Sequence, residues 1–230
     1  MTAGRLLLWR HGRTAANASF RLQGQIDVPL DEVGRWQART AAATLVARYE
    51  PTAIVSSDLT RAQETAARLS RSTGLPVATD ERLRERGFGE WEGLTGDEIT
   101  ATWPEAFEVW RSGGDPEGVG AERRGDVADR MTAALVELAE GYGPQDTLVV
   151  VSHGAAISLA VGTLLGQPPT WRGVVGLHNA HWAEMSPAHP GAAPGWRLHG
   201  FNLGPTDASR DWNAGPDQPT ETAAQTRDPD

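Results

Sequence analysis

Apolar residues occur along the chain in two patterns, short continuous runs and longer stretches with helical spacing. The continuous runs, typical of strands covered on both faces, lie at residues 5–9, 53–55 and 147–151. Apolar positions recur every three to four residues, as on one face of a helix, over residues 31–49, 59–72, 127–138 and 155–165. Because strands and helices alternate, the pattern predicts an α/β fold, with three α/β/α layers around a mostly parallel central sheet.

Two regions depart from this alternation. Residues from about 87 to 120 are rich in Gly and Trp, which predicts a small cap of short helices and loops inserted into the domain. Residues 204–230 consist mainly of Pro, Thr, Asp, Gln and Ala and contain few large apolar side chains. We therefore expect one domain over residues 1–203 and a disordered tail over 204–230. Short apolar stretches after residue 169 predict edge strands, through which two copies could pair as a homodimer.

The composition excludes several classes of chemistry. The chain has 230 residues and no Cys, and all 21 of its Lys and Arg residues are Arg. It therefore has no thiolate nucleophile, disulfide or Cys zinc site, and no lysine for a Schiff base or a Walker-type phosphate loop. If the protein binds phosphate, arginine must supply the positive charge. A covalent nucleophile must be histidine or an oxygen-bearing side chain.

The net charge of −9 argues against a nucleic-acid partner, which needs a basic surface. No apolar run approaches the roughly 18 residues of a membrane span, and the first residues lack the pattern of a signal peptide. We accordingly expect neither nucleic acid nor a membrane as a partner, and a cytoplasmic location.

Polar residues follow three of the predicted strands at the point where each strand ends. Arg10 and His11 follow the first strand, Arg61 lies just beyond the second, and His153 follows the third. The carboxyl ends of parallel strands meet at one edge of a sheet, so we expect these four side chains to lie together. A Gly follows each His, which allows the backbone to approach a ligand closely. The helix that begins near Gly154 directs free N–H groups at the same place, which favours an anion.

Two arginines and two histidines around an anion site suit phosphoryl transfer. Guanidinium groups bind phosphate through paired hydrogen bonds, and a neutral imidazole can attack phosphorus to form a phosphoenzyme. The departing alcohol also needs a general acid. Glu85, at the start of the cap, is the first candidate, with Glu90 and Glu92 as nearby alternatives. Asp58 and Gly74 are the expected start and stop signals of the helix that carries Arg61.

Four sequence blocks also resemble a known family. The first block reads RHGRT at residues 10–14, followed by Asn17, and is similar to the signature of the histidine phosphatase superfamily, the phosphoglycerate-mutase-like proteins. Residues 56–65, 83–93 and 151–154 resemble the other three blocks of that family in the same order. One triplet alone would be a weak signal, whereas four blocks in order are specific.

The resemblance implies a role for each candidate residue. His11 would be the nucleophile that carries the phosphoryl group, and Glu85 would protonate the leaving oxygen and then deprotonate the attacking water. The residues that would hold the phosphate are Arg10, Arg61 and His153, assisted by Asn17 and Gly154. The resemblance implies no metal and no other cofactor.

Phosphatases and mutases both occur in this family, so alternatives stay open. The chain has Arg13 and Thr14 where the cofactor-dependent mutases usually have Glu-Ser, and its acid block reads ERGFGEWEG at residues 85–93, in the style of the phosphatases. These features favour a phosphomonoesterase that acts on a small phosphorylated metabolite. The alternatives are a phosphoglycerate-type mutase and a non-catalytic module that binds a phosphorylated ligand.

Within the phosphatases, residues 21–27, 179–182 and 196–198 resemble the glucosyl-3-phosphoglycerate phosphatases of actinobacteria. That likeness implies a phosphoglycerate conjugate or a sugar phosphate as substrate, with α-ribazole phosphate or a broad range of esters as alternatives. Arg123 departs from many relatives, and it either binds a second anionic group of the substrate or faces water. We expect a solvated charge cluster at a helix start, formed by Glu122, Arg123 and Arg124. We expect a core role for the cap tryptophans, which are Trp91, Trp103 and Trp110.

Overall fold

The computed structural model describes residues 2–205 and 208–217. The strands are β1 (Arg5–Arg10), β2 (Ala53–Ser56), β3 (Val77–Thr79), β4 (Thr147–Ser152), β5 (Trp182–Pro187) and β6 (Trp196–Leu203). The α-helices are α1 (Ala15–Ala18), α2 (Glu32–Tyr49), α3 (Thr60–Thr73), α4 (Gly96–Thr102), α5 (Pro104–Arg111), α6 (Arg124–Glu140) and α7 (Gly154–Leu164). Short 3₁₀ helices cover Glu81–Leu83 and Gly89–Trp91. Over the described ranges, no helix is both long enough and apolar enough to span a bilayer.

The six strands form one sheet in the order β3-β2-β4-β1-β5-β6. Strands β1 to β4 pair in parallel, β5 is antiparallel to β1, and β6 is antiparallel to β5. The predicted α/β class with a mostly parallel sheet is therefore confirmed. Strand β6 lies at one edge, and the homodimer expected through such an edge stays a prediction.

The sheet divides the core into two halves, because successive strand residues point to opposite faces. Leu6 and Leu8 of β1 pack with α6 and α7 on one face. Leu7 and Trp9 pack with α2 and α3 on the other face. Each of these four side chains is fully buried. The continuous apolar run in β1 thus reflects a strand covered on both sides.

The cap has a small core of its own. Phe88, Trp91, Ile99 and Val119 are buried together, and residues of α4 and α5 pack around them. Trp91 contacts Trp110 edge to face, with ring centroids 6.2 Å apart. Helices α4 and α5 lie within residues 87–120, the stretch in which we expect the insertion. Trp91 is a core residue, as expected, whereas Trp110 is only half-buried and faces the candidate site.

A residue distant in sequence caps helix α3, so the prediction of Asp58 as its N-cap is wrong. The Thr60 N–H and hydroxyl donate to Asp27 Oδ1 and Oδ2 at 2.7 and 2.8 Å. Asp58 instead accepts from Arg84, whose Nε lies 2.8 Å from Oδ1, and this hydrogen bond lowers the pKa of Asp58. Gly74 ends the helix as expected, in the left-handed conformation with φ of 76°.

Residues 208–217 lie against the domain, which corrects the expected disordered tail for this segment. The Trp212 indole packs on Trp36 with ring centroids 4.8 Å apart. Its Nε1 donates to the Asn179 carbonyl at 2.7 Å. One large amphipathic side chain thus attaches a stretch whose average composition predicts disorder. The other residues of the expected tail lie outside the described ranges, apart from 204 and 205.

Backbone groups of the same segment are also held by side chains of the domain. Gln37 Nε2 donates to the Trp212 carbonyl at 2.8 Å. Gln37 Oε1 accepts from the Arg13 backbone N–H at 2.8 Å, and the Arg13 guanidinium donates to the Asn213 carbonyl. These contacts connect the segment to the loop that follows β1.

Trp212→Ala should lower the free energy of unfolding by about 1–2 kcal/mol, because it removes both the ring contact and the hydrogen bond. Trp212→Phe keeps an aromatic ring against Trp36 and should lose less. Urea unfolding followed by circular dichroism measures both variants. Equal midpoints for wild type, Phe and Ala would show that the segment does not dock in solution.

Candidate active site

The parallel pairing of β1 and β4 brings the two candidate histidines together. Arg10 is the register partner of Ser152, so the next residues, His11 and His153, leave neighbouring strands at the same level. Their ring centroids lie 5.2 Å apart. Both side chains are buried. The sequence-based expectation that these strand ends converge is met.

The glycines after the histidines make room for neighbouring groups of the protein, and their close approach to a ligand stays a prediction. A Cβ on Gly12 would lie 2.4 Å from the Gly34 carbonyl oxygen, so Gly12 allows the loop after β1 to pack against α2. A Cβ on Gly154 would lie 3.4 Å from Cζ of Arg10. Gly154 therefore makes room for an arginine of the site and also lines the cavity.

The tautomer of His11 follows from its hydrogen bond. Nδ1 lies 2.7 Å from the Gly12 carbonyl oxygen, which can only accept, so Nδ1 carries the proton. In the neutral ring, Nε2 is then unprotonated and has a lone pair available for bonding. His11 lines the cavity at the edge of the sheet. The side chain thus has the form that a nucleophile requires.

His153 contacts Ser57, a residue for which the sequence motifs predicted no role. Its Nε2 lies 2.9 Å from Ser57 Oγ. Its Nδ1 has no hydrogen-bond partner among the described residues. His153 is fully buried beside His11 rather than exposed to the cavity. Ser57 follows β2, so a polar residue at a third strand end was the available signal.

Two arginines place positive charge around the histidines. The Arg10 guanidinium donates to the Leu177 carbonyl. Arg61 donates from Nη1 to the Ile26 carbonyl at 2.8 Å and from Nη2 to the Gly24 carbonyl at 2.7 Å. The Nε atoms of both arginines are buried without a partner among the described residues. Two guanidinium groups that keep unused donors at one cavity can bind an oxyanion.

Burial and this positive charge keep both histidines neutral. Burial lowers the pKa of His11 well below 6.5, and Arg61 and Arg10 lower it further. The pKa of His153 is lowered in the same way, first by burial and then by Arg61. Burial also lowers the pKa of Arg10 to about 10, which still leaves the guanidinium charged near neutral pH.

Glu85 lies at the amino end of α7, opposite the arginines. Its Oε1 accepts from the Ala156 N–H at 2.9 Å and its Oε2 from the Ala155 N–H at 3.1 Å. Free N–H groups at a helix start favour a carboxylate there. The alternatives differ, because Glu90 is exposed and Glu92 accepts from the Phe88 N–H at 2.9 Å. Of the three acids, Glu85 lines the cavity.

The backbone around Glu85 is fixed by Arg130 and by Glu122, a residue that the sequence predicts to be solvated. Arg130 donates to the Glu85 carbonyl at 3.0 Å and pairs with Glu122 at 2.7 Å. Glu122 also accepts from the Gly87 N–H at 3.1 Å. Glu122 is therefore half-buried and structural, so the expectation that it is solvated is wrong. Arg123 is exposed, which agrees with the alternative that it faces water.

Asn17 is fixed through a second asparagine. Its Oδ1 accepts from Asn179 Nδ2 at 3.1 Å and from the Thr14 N–H at 3.2 Å. Asn179 Nδ2 also donates to the His11 carbonyl at 3.2 Å. The likeness of residues 179–182 to a phosphatase subgroup was the signal for Asn179, although it gave no role.

These side chains surround one cavity of about 450 Å³. The candidate residues that line it are Arg10, His11, Asn17, Arg61, Glu85 and Gly154. In residues 2–205 and 208–217, no group of three or more His, Asp or Glu side chains could hold a metal ion. The site therefore combines a neutral imidazole, two guanidinium groups and a carboxyl group around one space.

A comparison of the chain with models of protein families identifies its family. Residues 6–202 match the model of the histidine phosphatase superfamily, branch 1. The chain belongs to the histidine phosphatase superfamily. The predictions of family, fold and enzyme class are confirmed, and the chain is a phosphatase of this superfamily.

Individual relatives cover most of this phosphatase. A glucosyl-3-phosphoglycerate phosphatase of Mycobacterium tuberculosis is 40% identical over 214 residues, which is 88% of this chain and 96% of the relative. A probable phosphoglycerate mutase of Yersinia enterocolitica is 38% identical over 203 residues, covering 83% and 89% of the two chains. A mycobacterial glucosyl-3-phosphoglycerate phosphatase structure with VO3 superimposes with a TM-score of 0.78 at 39% identity, covering 86% of this chain and 99% of that chain.

The buried neutral histidines should make this phosphatase less stable in acid. The unfolded chain binds protons at His11 and His153 once the pH falls below about 6.5, whereas the folded chain resists protonation until its lowered pKa values are reached. The contribution of the pair to the free energy of unfolding is therefore complete above pH 6.5 and is lost as the pH falls below it.

Urea unfolding at pH 7.5 and pH 5 measures this loss. His153→Gln should reduce the difference between the two pH values, because it removes one of the two groups. His189→Gln, at an exposed position, serves as the matched control and should behave like wild type. An unchanged pH dependence in His153→Gln would contradict the explanation.

Proposed function

We propose that this phosphatase hydrolyses phosphomonoesters in two steps through a phosphohistidine at His11. In the first step, the Nε2 lone pair attacks phosphorus, the bond from phosphorus to the ester oxygen breaks, and Glu85 gives its proton to the departing alcohol. The observation that carries the proposal is the contact of His11 Nδ1 with the Gly12 carbonyl oxygen, which leaves Nε2 of this cavity-lining ring unprotonated.

In the second step, Glu85 accepts a proton from water and the oxygen of that water attacks phosphorus. The bond from phosphorus to Nε2 breaks, inorganic phosphate leaves, and both side chains return to their starting forms. Arg10 and Arg61 stabilise the negative charge of the phosphoryl group in each step. The expected role of His153 in holding the phosphoryl group stays a prediction, because its ring is buried beside His11 and does not line the cavity.

The substrate we propose is a phosphoglycerate conjugate such as glucosyl-3-phosphoglycerate. The support is the 40% identity to the Mycobacterium tuberculosis phosphatase over nearly its whole length. The mutase alternative is favoured by one observation, the 38% identity to the probable Yersinia mutase. A mutase would need a bisphosphorylated primer, and a hydrolase would not. The expected cytoplasmic location and the lack of a nucleic-acid or membrane partner stay predictions.

His11→Ala should abolish release of phosphate from 4-nitrophenyl phosphate, because it removes the nucleophile. Wild type should keep its rate in excess EDTA, since the proposed steps use no metal. The matched control is His189→Ala, at an exposed histidine outside the site, which should retain the wild-type rate. Loss of the wild-type rate in EDTA, or turnover by His11→Ala, would contradict the proposal.

The rate should fall in acid, because His11 must be neutral to attack phosphorus in the first step. Protonated His11 cannot attack, and burial lowers its pKa, so the acid limb should lie below pH 6.5. The measurement is kcat/KM for 4-nitrophenyl phosphate from pH 4 to 9, corrected for ionisation of the substrate. If the rate already falls at a pH above 6.5, the group whose protonation causes the loss is not this buried histidine.

A further inference from the structure

A second cavity adjoins the proposed catalytic cavity and has no role in the two steps above. It has a volume of about 200 Å³. The two cavities share part of their walls, namely Phe88, Trp110, Ala155, Ser158 and Gly176. Because the walls are shared, one extended molecule can occupy both spaces.

The position of the second cavity follows from α7. The catalytic cavity contacts this helix at Gly154, Ala155 and Ser158, whereas the second cavity contacts it at Ala155, Ser158 and Leu159. The second set of contacts begins and ends one residue later, a rise of only about 1.5 Å, so the second space lies beside the catalytic cavity and a small leaving alcohol can reach it.

Three arginines line this second cavity, Arg86, Arg124 and Arg172. Arg86 is buried and forms an ion pair with Asp115 at 2.9 Å. Neither Arg124 nor Arg172 forms an ion pair within the part of the chain that the structure describes. Asp115, which pairs with Arg86, also accepts from the Arg124 backbone N–H at 2.9 Å and is the carboxylate that offsets the charge of Arg124, so positive charge is in excess at this cavity.

Backbone carbonyls hold both of these arginines in place. Arg124 Nε donates to the Pro169 carbonyl at 2.7 Å, and Arg172 Nη1 donates to the Arg111 carbonyl. The like charges act on each other, because burial first, and then Arg86 and Arg172, lower the pKa of Arg124. Holding like charges together beside a partly apolar wall is unfavourable unless an anion joins them.

We propose that Arg124 and Arg172 bind a second anionic group of the substrate, a carboxylate carried by the leaving alcohol. A planar guanidinium group matches a carboxylate through paired hydrogen bonds. A second phosphomonoester would let the molecule bind in either direction, whereas a carboxylate fixes which end meets His11. This inference rests on the proposed phosphatase function and specifies its substrate class.

The apolar part of the same wall supports the leaving-group assignment. Trp171 and Val174 line the second cavity, and Trp110 borders both spaces. Aromatic and aliphatic surfaces can pack on the carbon skeleton that joins the two anionic groups. The cavity thus offers charge for one end of the alcohol and apolar contact for its middle.

The test compares two substrates that differ in the carboxylate, 3-phosphoglycerate and glycerol 3-phosphate. Wild type should have the higher kcat/KM for 3-phosphoglycerate. In Arg172→Gln the ratio of the two kcat/KM values should fall about tenfold, the effect of losing one charged hydrogen-bonding partner. The change should appear mainly in KM, because the guanidinium group binds the substrate and its transition state alike.

Two further variants complete the experiment. Arg124→Gln should lower the same ratio, and it provides a second reading if one variant fails to fold. Arg71→Gln changes an exposed arginine near the far end of α3 and should leave the ratio at its wild-type value.

The outcomes separate this inference from the proposed function. A ratio unchanged in both Arg172→Gln and Arg124→Gln, or a wild type that does not prefer 3-phosphoglycerate, would overturn the carboxylate subsite while hydrolysis persists. Failure of the phosphatase proposal would appear instead as no His11-dependent release from 4-nitrophenyl phosphate. Circular dichroism of each variant confirms that the compared proteins are folded.

Discussion

The parallel pairing of β1 with β4 is the constraint on which the site depends. Its register places Arg10 opposite Ser152, so His11 and His153 leave the sheet side by side. A slip of one residue would turn one ring to the other face of the sheet and separate the pair. Burial of both strands on both faces fixes that register, since a slip would also expose apolar side chains. The stability of the core and the geometry of the site therefore depend on the same contacts.

Charge balance around the cavity explains how a chain with net charge −9 can bind a phosphate dianion. Arg61 is buried and Arg10 is half-buried. Burial lowers the pKa of both guanidinium groups, and the nearby Glu85 carboxylate acts in the opposite direction. The two histidines stay neutral because adding charge beside the arginines is unfavourable. A local excess of positive charge inside an acidic molecule attracts small anions.

Local patterns predicted the parts of the fold that depend on local physics. The strand runs, the helix spacing and the position of His11 after β1 are all visible in neighbouring residues. Neighbouring residues did not show which side chain accepts from the first N–H of α3, because Asp27 reaches that N–H from another loop. The docking of Trp212 was missed for the same reason, since its partners Trp36 and Asn179 are distant in sequence. Composition averages over a segment, whereas one large side chain decides whether that segment packs.

The difference between local and distant contacts also separates the residues of the chemical step from the residues that select the substrate. The groups that act on phosphorus sit at strand ends, where a rigid sheet sets their spacing, and sequence motifs report them well. The groups that we propose to contact the leaving alcohol lie at the start of α6, in the cap and on the loop before β5, and Trp110 and Arg172 meet only in three dimensions. Loops of this kind can change while the sheet keeps the phosphoryl site intact. Relatives named as a phosphatase and as a probable mutase can therefore share one set of strand ends. If Arg124 and Arg172 bind the leaving alcohol as we propose, these two arginines, rather than Arg10 and Arg61, distinguish one substrate from another.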